Sequence, residues 1–96
     1  MPKFIVVHSL PRKQLEQMTE IPPEENKMII KLRKACDFNA NYVRTWAVLD
    51  HEKLYCEWNA KDAESIRKIW EENVKGIGID SIAEMQIVEA EDFREK

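Results

Sequence analysis

A chain of 96 residues is one domain by size, and one so short buries only about 60 to 65% of the surface its unfolded form exposes, so its core must be thin. Hydrophobic residues at 44% beside charged residues at 34% exclude a disordered chain. The 15 basic and 18 acidic residues are mixed along the sequence and leave a net charge of -3, so no basic stripe exists to neutralise a phosphate backbone, and nucleic acid is excluded as the expected partner.

The first element, Lys3 to His8, is rich in β-branched residues and reads as a strand. Its apolar run ends at His8 and is far too short for a signal h-region or a membrane span, so a cytoplasmic protein with no membrane partner is expected. In that compartment Cys36 and Cys56 stay reduced and read as buried free thiols. Leu10 to Pro23 holds three of the four prolines and reads as a loop with one helical turn around Leu15 and Met18. From Glu24 to Phe38, Met28, Ile29, Leu32, Ala35 and Cys36 form one stripe of a 3.6-residue period, a helix lying on a core. Pro22-Pro23 before Glu24-Glu25 supplies its start, and Lys31, Arg33 and Lys34 suit its carboxyl end.

Tyr42 to Leu49 and Lys53 to Asn59, separated by Asp50-His51-Glu52, read as a hairpin. Asp62 is placed to cap a second helix carrying Ala63, Ile66, Ile69, Trp70 and Val74, with Gly76 just past its end. Ser81 to Glu89 alternates as a half-buried strand, with Ala83, Met85 and Ile87 on one side and Glu84 and Gln86 on the other. The tail from Ala90 to Lys96 is charged and expected to fray, with Phe93 able to dock. The order βαββαβ is that of the split βαβ, ferredoxin-like plan: an α+β domain over residues 1–96 with a four-stranded antiparallel sheet, first and third strands central, and two helices on one face. The other face is uncovered, and pairing two such faces in a homodimer is the physical answer to exposing Trp46, Tyr55 and Val48.

A two-residue hairpin centre at Asp50-His51 sets Arg44 across from Glu57, Trp46 from Tyr55 and Tyr42 from Asn59, all on the uncovered face. Val43, Thr45, Ala47, Leu49, Leu54, Cys56 and Trp58 then belong under the helices. Glu84 and Gln86 are expected to join Arg44, Trp46, Tyr55 and Glu57. His8 joins them only if the first strand's phase turns it that way. These groups either line a ligand cavity between protomers or are ordinary cross-strand pairs, each contributing about 0.2–1 kcal/mol to the sheet. His8 is the imidazole outside a turn, open to a metal, a base or a structural role, whereas His51 is expected in solvent. No nucleophile triad, zinc spacing or phosphate loop is present.

The opening Met1-Pro2-Lys3-Phe4-Ile5-Val6-Val7-His8-Ser9-Leu10-Pro11, the strand Tyr42-Val43-Arg44-Thr45-Trp46, and the run from Leu54 to Arg67 resemble small nickel-binding, otherwise uncharacterised proteins of actinobacteria and archaea. The resemblance implies a ferredoxin-like fold, a dimeric α/β barrel and, in some members, a transition-metal site at the histidine ending the first strand, which His8 matches. It departs at Ile69-Trp70-Glu71, where the family usually has a histidine, and at Asn59, where it has an acidic residue. Losing an imidazole and a carboxylate weakens nickel or any similar divalent transition metal as the ligand.

Three functions follow. A binding module would take a metal ion or small molecule between protomers, with His8 and Glu57 as metal donors. A cofactor-free oxygenase or isomerase of the dimeric α/β barrel type would use His8 as base, on fold analogy alone. A structural or regulatory interaction protein would fill the interface with its own side chains.

Overall fold

The computed structural model describes residues 1–93, without the side chains of Asp92 and Phe93. The docking of Phe93 and the end of the tail therefore lie outside the described residues. The first strand, β1 (Lys3–Ser9), is the structural axis: it pairs antiparallel with β3 (Lys53–Ala60) on one side and β4 (Ser81–Met85) on the other. β2 (Ala40–Val48) lies outside β3, so the order is β2-β3-β1-β4 with β1 and β3 central, as expected.

Four consecutive apolar residues in β1 hide its phase in the sequence. In the fold Phe4, Val6 and His8 are buried while Lys3, Ile5 and Val7 are half-buried on the opposite face. The buried set packs with Leu54, Cys56 and Trp58 of β3 against helical Leu15, Leu32, Ile66, Ile69 and Trp70. Burying each large apolar side chain of this layer contributes about 1.5–3 kcal/mol.

Three α-helices stand where two were expected. Residues 12–20, expected as a loop with one turn, form α1 (Arg12–Glu20), with Leu15 fully buried. The prolines bracket this helix rather than fill it. Pro11 precedes it, its carbonyl accepting the Leu15 amide at 3.1 Å, and Pro22-Pro23 stand beyond its end. Arg12 anchors the first turn to Glu16 and to Asp50 in the hairpin connection, both at 2.8 Å.

The next helix, α2 (Lys27–Ala35), is shorter than the stripe implied. Asn26, not the Glu24-Glu25 pair, caps it: Oδ1 accepts the amides of Met28 and Ile29 at 3.1 and 3.2 Å. Pro23–Glu25 form a separate 3₁₀ turn. Extended backbone at Cys36 stops the helix two residues before Phe38.

For α3 (Ala63–Asn73) the reading holds, with Asp62 accepting from the Ser65 amide at 2.8 Å and Gly76 at φ 84 beyond the end. Among the described residues no helix is long and apolar enough to cross a membrane. The cysteines Cys36 and Cys56 are both free thiols, Cys56 buried and Cys36 half-buried.

Candidate functional site

The hairpin register aligns Arg44 with Glu57 and Trp46 with Tyr55, as the two-residue centre predicts. Tyr42 is the exception. A bulge lets Val43 and Arg44 share one partner, so Tyr42 faces Trp58 instead of Asn59 and its side chain turns into the core. Burial there pushes its phenol up to about 12, and its ring lies 5.4 Å from that of Trp58. No residue-counting rule reveals one inserted residue, which explains the miss.

Strand β4 also reverses an expectation. Glu84 lies opposite Phe4 and so belongs to the helix-covered side, whereas Ala83 and Met85 lie opposite Ile5 and Lys3 on the open face. The strand ends at Met85, leaving Gln86 outside it. The open face is therefore more apolar than the alternation suggested, with Ile5, Val7, Trp46, Val48, Tyr55 and Met85 around a central polar cluster.

Glu57 is the centre of that cluster and is only 1% exposed although no helix covers it. Two cations lie over it. Lys3 Nζ reaches Oε2 at 2.5 Å and Asn59 Oδ1 at 2.8 Å, while Arg44 Nε stands 3.1 Å from Oε1. The Arg44 approach is an ion pair without hydrogen-bond alignment, so Oε1 is buried with no donor pointed at it. Two cations about one carboxylate leave the cluster locally positive by one charge. Sequence reasoning missed Lys3 because its part in the cluster depends on the phase of β1, which the apolar run conceals.

His8 lies on the other side of the sheet. It is fully buried, opposite Leu54, with its ring stacked on Trp70 at 4.0 Å between centroids and 20° between planes. Its Nδ1 lies 2.7 Å from the Gly78 carbonyl, which can only accept, so Nδ1 carries the proton. Nε2 is then a bare lone pair, buried and without a partner. Burial pulls the imidazole below its usual 6.5, against smaller raising effects from the Gly78 carbonyl and the charge of Asp80. His51 is exposed in the hairpin connection, as expected.

This arrangement corrects the pairing of His8 with Glu57 as metal donors. The sheet itself separates them: His8, opposite Leu54, points under the helices, and Glu57, opposite Ile5, points away from them beneath Lys3 and Arg44. Nor does a thiolate complete a set around His8, since burial pushes the Cys56 thiol up to about 11. Among the described residues no three of His, Cys, Asp and Glu are grouped to hold a metal ion. A preoriented Nε2 is a feature that metal-binding imidazoles share, but one donor does not make a nickel site, and the residues of one chain do not fit a resident ion.

Residues 4–85 match the family model described as nickel responsive protein, SCO4226-like, and the chain belongs to that family. No curated protein and no solved structure matches the chain.

Proposed function

We propose that this member of the nickel-responsive family is a homodimeric binding module on the ferredoxin-like plan, with one helix added to the first crossover. Its open face closes against a second copy as a dimeric α/β barrel, and Arg44, Trp46, Tyr55 and Glu57 line the space enclosed. The supporting observation is the apolar and aromatic sheet face that no helix covers, on which Trp46 is 42% exposed. A face of that character is characteristic of an interaction surface. Sedimentation velocity at micromolar concentration should give twice the 11.4 kDa chain mass. Trp46→Glu, which sets a charge in the middle of the paired faces, should return the monomer mass. A monomeric wild type would end this reading.

A response to nickel does not require that this chain hold the ion, and the placement of His8 supports a structural task for it. Calorimetric titration with nickel should therefore give the same isotherm for wild type and His8→Phe, a variant that keeps a ring against Trp70 but removes both nitrogens. Binding lost only in the variant would put Nε2 on the metal and overturn this view.

A further inference from the structure

We propose that the open face takes a small organic anion with a flat apolar body, its charge on Arg44 and its body against Trp46 and Tyr55. This inference rests on the binding-module reading and deepens it by naming the ligand's chemistry.

The sign of the ligand's charge follows from the ion pairs. Glu57 lies between two cations, hydrogen-bonded by Lys3 at Oε2 and ion-paired with Arg44 at Oε1, so its single negative charge is outweighed. The neighbouring cation on this face, Lys53, is taken up by Ser9 at 2.6 Å and Asp80 at 3.3 Å. An incoming metal ion or amine would meet an excess positive charge, and the Glu57 oxygen that lacks a donor, Oε1, is buried beside Arg44. An anion meets the reverse, and its attraction grows as a second sheet face excludes water.

Arg44 is the group placed to receive it. Its side chain is 65% exposed, and only Nε is engaged, by Glu57. The terminal nitrogens have no partner among the described residues. Glu57 holds this guanidinium electrostatically at its Nε end and leaves the terminal nitrogens, whose parallel N–H groups match a carboxylate, unengaged. Glu57 thus acts as a positioning residue for Arg44.

The apolar part of the ligand follows from register. Trp46 stands two residues along β2 from Arg44 on the same face and directly opposite Tyr55. A cross-strand aromatic pair beside a fixed guanidinium offers a flat ligand ring surface at one end and a charge partner at the other.

The test uses 1-naphthoate, with 1-naphthylmethylammonium for the same body of opposite charge and acetate for the charge without the body, each titrated calorimetrically into the full chain. Wild type should bind 1-naphthoate at least about tenfold more tightly than either control, and Arg44→Gln should weaken it by about tenfold or more. Arg44→Lys should fall between, and Trp46→Ala should weaken 1-naphthoate while leaving acetate unchanged. Equal binding of the ammonium compound, no binding of 1-naphthoate, or an unaltered Arg44→Gln would overturn the inference. Sedimentation of the same samples separates the two readings. A dimer that ignores 1-naphthoate defeats this inference alone, and a monomer that binds it through Arg44 upholds the ligand while defeating the dimer.

Discussion

Replacing Trp70 by alanine should lower the free energy of unfolding by about 3–5 kcal/mol, a large share of the about 5–15 kcal/mol that holds a domain folded. The size follows from what the indole does besides filling space. It is 1% exposed, stacks on His8, and donates Nε1–H to the Ile77 carbonyl at 2.8 Å. The next carbonyl, that of Gly78, accepts a hydrogen bond from His8 Nδ1–H, so two stacked rings from α3 and β1 grip two consecutive peptide groups of the connection to β4. That connection is further tied by the Asp80 amide to the Val7 carbonyl at 2.7 Å. Losing Trp70 opens a cavity and frees this strap together. Trp70→Phe separates the terms: it keeps a ring against His8 but leaves the buried Ile77 carbonyl without its donor, for about 1–3 kcal/mol. Urea unfolding of both variants checks the pair. A cost for Trp70→Ala no larger than for Trp70→Phe would mean that the lost donor accounts for the whole effect and that the stacking and packing of the ring contribute little.

Much of this layer was legible before the structure. Trp70 falls on the α3 stripe with Ile66 and Ile69, and Asp62 and Gly76 mark where that helix begins and where its connection turns. The hairpin was readable because two short runs with a polar centre leave few registers, and Arg44 opposite Glu57 follows by counting. Counting fails where the backbone inserts a residue, as at Val43, and so Tyr42 was set on the wrong face. It fails too where every residue is apolar: Phe4-Ile5-Val6-Val7 fits either phase, and only the sheet's packing decides that His8 goes inward with Phe4 and Val6 while Lys3 goes outward to Glu57. Helix α1 was obscured for a different reason. Prolines just outside a nine-residue helix weigh on any local average as though they were inside it, although Pro11 and Pro22 each stand where a helix tolerates or requires them. In β4 the alternation itself was read correctly and the side was not, because Ile82 alone carries that strand's contact with the core while Met85 serves the open face.

The stability of the wild type should fall as pH drops below 6.5, and His8→Phe should remove most of that fall. Unfolded, the imidazole takes up a proton near 6.5. Folded, its affinity for that proton is depressed by burial against Trp70, only partly offset by the Gly78 carbonyl and the charge of Asp80. Below 6.5 the unfolded chain therefore binds more protons than the native one, and acidification favours unfolding. The contribution is fully present above the unfolded value of 6.5 and is lost progressively as pH falls toward and through the lower native value. The slope from one such group reaches at most about 1.4 kcal/mol per pH unit. The carboxylates act in the same direction but in a separate window: Asp80, held down by Ser9 and Lys53, and Asp62, held down by Ser65, lose their contributions only as pH falls below the ordinary carboxylate value of 3.8. His8→Phe leaves the Gly78 carbonyl without a donor and so lowers stability at neutral pH, which makes the difference in slope between the two proteins the readout, not the difference in level. Denaturant unfolding at intervals from neutral pH to below 6.5 supplies both curves. Parallel curves would show that the native imidazole titrates as freely as the unfolded one, and that the buried, stacked, carbonyl-bound ring does not describe His8 in solution.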